Sequence, residues 1–145
     1  NQISFQIKTT TLLSRLVGGS FPHYQQVIPS KKDISVILNT KDILAVTKRA
    51  SLCAVDRGGS VKYTLKKGSL HVTASSQNLE FTDELPLEYK GEEFQIAFNP
   101  QFVVDALKHV DSETVSLGLT TPVNPALFEP TDGGDYRFVV MPMRG

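Results

Sequence analysis

The most restrictive feature of this sequence is a pattern that occurs twice, sixty residues apart. Residues 34–39 have apolar side chains at every second position, Ile34, Val36 and Leu38, and end in an asparagine, and residues 94–99 do the same with Phe94, Ile96 and Phe98. Such alternation is typical of a strand that buries one face. After each asparagine the apolar residues recur at helical spacing, and after each helix the period of two returns. The pattern predicts two similar halves, each with a strand, a helix and then several strands.

Local signals agree with this plan. Asn39 and Asn99 are predicted N-caps, whose side-chain oxygens accept hydrogen bonds from the first helical turn. The first helix is predicted over residues 40–54, and Pro100 opens the second helix at a position where a missing N–H is harmless. A hairpin turn is predicted at residues 66–69, and further strands at 78–89, 125–129 and 136–141. Two helices packed on antiparallel sheet make an α+β fold with pseudo-twofold internal symmetry.

The first thirty residues lie outside this repeat. Residues 1–8 alternate as a half-buried strand would, and a second apolar segment is closed by Gly18 and Gly19, so residues 1–19 are predicted to form a hairpin. Pro22 and Pro29 predict an extended connector. Because the chain starts inside a structural element without an initiator Met, we expect it to be a fragment of a longer protein.

Composition narrows the class of protein. The chain has 145 residues, of which 40% are hydrophobic, and 15 Lys and Arg balance 15 Asp and Glu. One globular domain with its own core is expected. The single cysteine cannot form an internal disulfide, and apolar runs are too short for a membrane span, which favours an intracellular protein. Any binding to DNA must depend on the local placement of charge.

No residue pattern predicts catalysis, a metal or a cofactor. The three histidines, His23, His71 and His109, lack metal-ligand spacing. The Gly-Gly pairs fit turns better than phosphate-binding loops, and Asp132 and Asp135 flank one of them as a tight turn requires. Cys53 has no neighbouring positive charge or histidine in the sequence and is predicted to be a small packing residue.

The outward faces of the two helices carry most of the interpretable charge. Helical spacing places Lys41, Lys48 and Arg49 outward on the first helix and Lys108 outward on the second. An ordinary solvated face is one interpretation. A nonspecific phosphate-facing surface is the other, since it needs mobile positive charges and no base-reading geometry.

Three segments resemble one known family. Residues 21–29, residues 98–107 and above all residues 136–144, which include Val-Val-Met-Pro-Met-Arg, resemble the bacterial sliding clamp, the β subunit of DNA polymerase III. The resemblance identifies residues 20–145 with the complete third, C-terminal domain of that family. It identifies residues 1–19 with the last strands of a truncated second domain. The implied architecture is the DNA-clamp (processivity) fold, in which the domain consists of two similar β-α-β-β-β halves.

The resemblance also implies a noncatalytic function without a cofactor. Two subunits of three domains each close head to tail around duplex DNA, with helices lining the hole, in the bacterial cytoplasm at the nucleoid. Lys41, Lys48, Arg49 and Lys108 would face DNA, and Leu52 and Cys53 would contact the partner subunit. DNA polymerase, the clamp loader and repair proteins would bind a hydrophobic cleft through short linear peptides.

By position in the family, twelve residues form the third-domain side of that cleft. They are Pro22, Val27, Asn99, Phe102, Val123, Pro125, Val139, Val140, Met141, Pro142, Met143 and Arg144. Plain strand core is the alternative for one of the two valines. Gln26 and Gly58 depart from residues found in some clamps, and the second-domain wall of the cleft would lie upstream of Asn1. The alternative function is a stand-alone α+β protein-interaction module without DNA binding.

Overall fold

A computed structural model of the chain describes residues 1–20, 23–54 and 59–144. In these ranges it contains ten strands and two α-helices. In chain order they are β1 Gln2–Ile7, β2 Thr10–Arg15, β3 Ile34–Asn39, α1 Thr40–Ser51, β4 Val61–Lys66, β5 Ser69–Ser75, β6 Glu80–Pro86, β7 Phe94–Phe98, α2 Pro100–Leu107, β8 Thr114–Leu119, β9 Ala126–Pro130 and β10 Phe138–Val140.

The strands after the first hairpin form two four-stranded antiparallel sheets, with the orders β10-β9-β8-β3 and β6-β5-β4-β7. The first strand of each half therefore pairs with the other half: β3 with β8, and β7 with β4. Exchanging the two halves converts one strand order into the other. The predicted α+β fold of two β-α-β-β-β halves is confirmed.

The two helices lie side by side and bury equivalent faces. Ile43, Val46 and Thr47 of α1 are buried, and so are the residues sixty positions later, Val103, Ala106 and Leu107. Both predicted N-caps are present. Asn39 Oδ1 accepts from the backbone N–H groups of residues 41 and 42, at 3.0 and 3.2 Å, and Asn99 Oδ1 accepts from that of residue 101, at 2.9 Å.

Several predicted boundaries were too wide. Helix α1 ends at Ser51 and not at residue 54, because the N–H groups of Cys53 and Ala54 donate to carbonyls only three residues back, which tightens the last turn. Strand β6 is shorter than predicted at both ends, and so is β10.

The prediction that the N-terminal strand is half-buried was wrong. β1 and β2 form the predicted hairpin, with the apolar side chains of Ile3, Phe5 and Leu12 on one face, yet both strands are exposed along their whole length. The pattern specifies an apolar face, but no surface within the described residues covers it. Whether residue 20 is a domain boundary stays a prediction.

The connector is also less extended than predicted. Residues Tyr24–Gln26 form a 3₁₀ turn, in which the N–H groups of Gln26 and Val27 donate to the carbonyls of His23 and Tyr24. Proline restricts only itself and its predecessor, so the residues between the two prolines are free to turn. Within the described ranges no helix is long and apolar enough to cross a membrane.

Candidate functional site

The C-terminal tail, residues 141–144, crosses from one sheet to the other. Regular pairing with β9 ends at Val140, and Pro142 has no N–H to continue the ladder. Pro142 instead forms an isolated bridge with Phe98 at the end of β7, and the N–H of Met143 donates to the carbonyl of Ala97 at 2.8 Å. The tail thus joins the edge strand β10 to the edge strand β7.

Large apolar side chains are exposed around this tail. Met141 is 56% exposed, Phe102 58%, Val123 65% and Val27 50%. Exposed apolar side chains that lie close together are typical of surfaces that bind a partner. We call these four side chains, together with the tail, the tail surface.

Three depressions lie along the tail surface. The first, of about 460 Å³, is lined by Val27, Pro125 and Met141. The second, of about 570 Å³, lies between α2 and β10 and is lined by Phe102, Val139 and Met141. Met141 therefore forms part of both walls, and its flexible side chain suits a surface that adapts to different ligands.

The third depression, of about 530 Å³, lies at the other end of the tail. Val123, Met143 and Arg144 line it together with residues of β4 and β7. Nine of the twelve predicted cleft residues thus line these three depressions.

Two predicted cleft residues are less accessible to a ligand than the others. Val140 lines the second depression but is buried in the core, as alternation along the strand requires for one of the two valines. Asn99 is partly exposed, but its side-chain oxygen is already used to cap α2. Pro22 lies outside the described residues, as does Gly58.

Four residues that line the second depression were not among the predicted cleft residues. Asp105, His109, Arg137 and Phe138 also line it. Asp105 follows Phe102 at i+3 on the outward face of α2, and His109, in the turn just after the helix, continues the same spacing at i+7, so helical periodicity could have identified both. His109 Nδ1 lies 2.7 Å from the carbonyl oxygen of Asp105.

The predicted basic residues are exposed on the two adjacent helices, but their charges differ in availability. Arg49 forms an ion pair with Asp83 on β6, and the Arg49 guanidinium is the main reason that the pKa of Asp83 lies below its usual range. Lys108 Nζ lies 3.7 Å from Asp105 Oδ1. Within the described residues, Lys41 and Lys48 have no ion-pair partner, so they carry the unpaired positive charge of α1.

The two predicted subunit-contact residues behave differently. Leu52 is 69% exposed at the end of α1, whereas Cys53 belongs to the hydrophobic core. The burial of Cys53 agrees with the packing role that the sequence predicts. Of these two residues, only Leu52 has an exposed apolar side chain.

The side chains of His71 and Asp132 interact with neighbouring residues of the fold. His71 Nε2 lies 3.1 Å from Ser69 Oγ and 3.7 Å from Glu84 Oε2 across β5 and β6. Asp132 Oδ1 accepts a hydrogen bond from the N–H of Gly134, in a turn where Gly133 has a φ of +88°. In the described ranges no group of three or more His, Cys, Asp or Glu side chains could hold a metal ion.

Comparison with known proteins places these features in a family. Residues 25–144 match the profile of the DNA polymerase III beta subunit, C-terminal domain. The chain belongs to this family. The beta sliding clamps of Chlamydia pneumoniae and Haemophilus influenzae are 33% and 31% identical to it, each over 99% of this chain.

Solved β subunits share the fold. The DNA polymerase III beta subunit of Thermotoga maritima superposes with a TM-score of 0.83 at 29% identity, over 99% of this chain and 39% of its own. The sliding clamp of Bartonella birtlesii bound to griselimycin superposes with a TM-score of 0.86 at 31% identity, again over 99% and 39%. The chain spans about 39% of the length of the Chlamydia pneumoniae clamp and 40% of that of Haemophilus influenzae. These comparisons confirm the resemblance and the DNA-clamp fold.

Proposed function

We propose that this chain is the C-terminal part of a noncatalytic sliding clamp. Its helices face duplex DNA, and its tail surface binds short linear peptides of DNA polymerase, the clamp loader and repair proteins in the bacterial cytoplasm. The observation that carries the proposal is the tail surface, where four large apolar side chains remain exposed beside a chain segment that leaves its own sheet. Membership of the β-subunit family favours this function over a stand-alone interaction module.

Peptide binding follows from the chemistry of the tail surface. Apolar peptide side chains would cover Met141 and enter the depressions on either side of it. Asn99 offers side-chain N–H groups that have no partner within the described residues, and these can donate to peptide carbonyls. Val140 holds the tail in place from the core, so the ligand would bind a surface that already has its shape.

A binding selection tests the peptide proposal. Peptides are selected from a random library on the wild-type protein expressed from its complete reading frame, and their affinities are measured by fluorescence anisotropy for Met141→Asp and for Ile37→Asp. Ile37 is a matched control, because it is also a large exposed apolar residue but lies on β3 and lines none of the three depressions.

We expect the Met141 variant to bind at least about tenfold more weakly, since a charge then replaces an apolar contact in two depressions. The Ile37 variant should bind as wild type. Equal affinities for Met141→Asp and wild type would reject the tail surface as the peptide site.

The DNA-facing proposal depends on the unpaired lysines of α1. Nonspecific attraction to phosphate requires only positive charge near the duplex. We expect the double variant Lys41→Glu, Lys48→Glu of the complete protein to be retained less well on nicked circular DNA. The control variant Lys67→Glu, Lys90→Glu changes the same charge on residues that lie outside both helices. Equal retention of the two variants would contradict a DNA-facing role for α1.

The subunit contact is proposed to depend on Leu52. We expect Leu52→Asp to shift the complete protein from dimer to monomer in light scattering, because a charge cannot be buried unpaired at an interface. Ile37→Asp should leave the dimer intact. The 145-residue chain alone should not form a closed two-subunit ring. An unchanged dimer in Leu52→Asp would remove this residue from the interface.

A further inference from the structure

The third depression differs in charge from the other two. Its lining includes two basic side chains, Lys62 and Arg144, and no carboxylate. The second depression contains Asp105 beside Arg137, and the first contains a single lysine. One end of the tail surface is therefore distinctly positive.

We propose that this depression receives the residues that flank the apolar core of a bound peptide, and that Lys62 and Arg144 select an acidic residue there. The inference rests on the proposed peptide-binding function and specifies its ligand. It adds two features to the tail surface: a direction in which the peptide continues, and a charge preference at that end.

The shape of the surface supports the continuation. Ala97 lies directly opposite Lys62 across the β7–β4 pair, and its small side chain forms the floor between the tail and β4. Ala97 and Lys62 also line a further depression on the outer face of the same sheet, so the groove continues past the tail. Because Ala97 has only a methyl side chain, an extended peptide that leaves Met143 can continue toward Lys62.

The charge of Lys62 is available to a ligand. Lys66 lies on the same face of β4 but forms an ion pair with Glu93 at 3.8 Å. Lys62 has no such partner within the described residues, and its cross-strand neighbours are the uncharged Thr73 and Ala97. A peptide carboxylate placed over Ala97 would therefore meet a lysine that needs no existing ion pair to break.

Gln95 adds a fixed polar contact to this end. Its side-chain N–H donates to Thr64 Oγ1 at 3.1 Å, which leaves the amide oxygen to accept a hydrogen bond from a peptide N–H. Further along the groove the adjoining depression contains Glu80, whose charge would repel an acidic peptide. The acidic preference should accordingly be limited to the residues nearest the tail.

The experiment uses a peptide selected on the wild-type protein, as described above, in three forms. One carries Gln on both flanks of its apolar core, one carries Glu on the N-terminal flank, and one carries Glu on the C-terminal flank. Their affinities are measured for wild type, Lys62→Met and Lys66→Met of the protein expressed from its complete reading frame. Lys66→Met is the matched control, because it removes an equal charge from the same strand face.

We expect Glu on one flank to strengthen binding to wild type by about two- to fivefold, as is usual for an exposed ion pair. This gain should disappear in Lys62→Met and persist in Lys66→Met. It should also disappear at about 1 M salt, where the Debye length is about 3 Å.

The outcomes separate this inference from the proposed function. If the three peptides bind equally to wild type, or if the gain from Glu survives in Lys62→Met, the charge selection is wrong while peptide binding stands. If Met141→Asp fails to weaken the Gln-flanked peptide, the tail surface itself is wrong.

Discussion

The two halves of the domain share one backbone plan but differ in the space between the helix and the last strand. This space is covered in the first half and accessible in the second. Each sheet has a row of inward-facing positions that are paired across its four strands. The two rows are Ile96, Tyr63, Val72 and Asp83 in one sheet, and Val36, Leu117, Phe128 and Phe138 in the other. The first row thus ends in a carboxylate on β6, and the second row ends in an aromatic ring on β10.

The helix residue that lies near the last position of each row also differs between the two halves. Arg49 of α1 pairs with Asp83 and links the helix to β6. The equivalent residue, sixty positions later, is His109 in the turn after α2, and it lines the open depression between α2 and β10 together with Phe138. In the first half the ion pair covers the space between α1 and β6. In the second half the equivalent space, between α2 and β10, is accessible and largely apolar.

The segments that follow the last strand of each half also diverge. After β6 the chain folds back over the β4–β5 turn: the N–H of Leu87 donates to the carbonyl of Gly68, and Leu87 is buried in the core. After β10 the chain instead crosses to β7 and leaves Met141 exposed. An exposed tail of this kind therefore follows β10 and not β6.

The largest expected effect comes from the two core residues at equivalent positions, Phe98 and Leu38. Phe98→Ala should lower the free energy of unfolding by about 3–5 kcal/mol and Leu38→Ala by less, since the larger side chain leaves the larger cavity. Phe98 also makes an edge-on contact with Tyr63, with ring centroids 5.7 Å apart. Urea denaturation of both variants measures the difference. A larger loss in Leu38→Ala would show that the two halves are not equivalent at this core position.

The next effect concerns a buried polar pair that only the first half contains. Thr47 Oγ1 donates to the carbonyl of Ile43 at 2.6 Å and lies 2.8 Å from Tyr63 Oη, so the tyrosine hydroxyl is the donor between the two. Burial raises the pKa of Tyr63, and the bond to Thr47 opposes that rise only in part. The equivalent positions in the second half are Leu107 and Leu117, which are apolar.

Thr47→Val should therefore lower the free energy of unfolding by about 1–3 kcal/mol, because it leaves a buried hydroxyl without a partner. Adding Tyr63→Phe to that variant should restore part of the loss, since the first half then resembles the apolar second half. Thermal and urea denaturation of the two single variants and the double variant measure this coupling. Strict additivity of the two substitutions would contradict it.

Local patterns predicted those strands, helix faces and helix caps that depend on residues close together in the sequence. Period-two alternation identified β3 and β7, and helical spacing identified the buried faces around Ile43 and Val103, because each of these elements buries one side against the same core. The two asparagine caps followed from the chemistry of the first helical turn.

Those local patterns could not predict contacts between segments that are distant in the sequence. The ion pair between Arg49 and Asp83 joins residues 34 positions apart, and the tail contact joins Met143 to Ala97 across two sheets. Nothing in the local sequence distinguishes Arg49 from the unpaired Lys48 beside it. The exposed face of the N-terminal hairpin likewise depends on what covers it, which the alternation of apolar residues does not specify.

The helix caps provide a smaller comparison between the halves. Asn39 accepts hydrogen bonds from two backbone N–H groups, whereas Asn99 accepts one and is followed by Pro100, whose fixed φ already favours the first helical turn. Asn39→Ala should cost about 1–2 kcal/mol and Asn99→Ala about 0.5–1 kcal/mol of unfolding free energy. Denaturation curves of the two variants would contradict this order if Asn99→Ala were the more destabilised.

The smallest effect is the pH dependence of the ion pair that closes the first half. Because the pKa of Asp83 is lowered in the folded protein, chiefly by its hydrogen bond with Arg49, the carboxylate stabilises the fold at a pH above its ordinary value of about 4. That stabilisation is lost as the pH falls through the lowered pKa. The pair is partly exposed, so its contribution should be at most about 1 kcal/mol.

Asp83→Asn should therefore reduce stability near neutral pH and flatten the decrease in stability as the pH falls below about 4, because the variant has no carboxylate at this position to protonate. Urea denaturation across this range measures the slope. Phe138→Asn, at the equivalent position of the second half, is the control: it introduces the same residue without removing an ionisable group, so its slope should match that of wild type. Parallel pH profiles for Asp83→Asn and wild type would show that the ion pair covers the space between α1 and β6 without stabilising the fold.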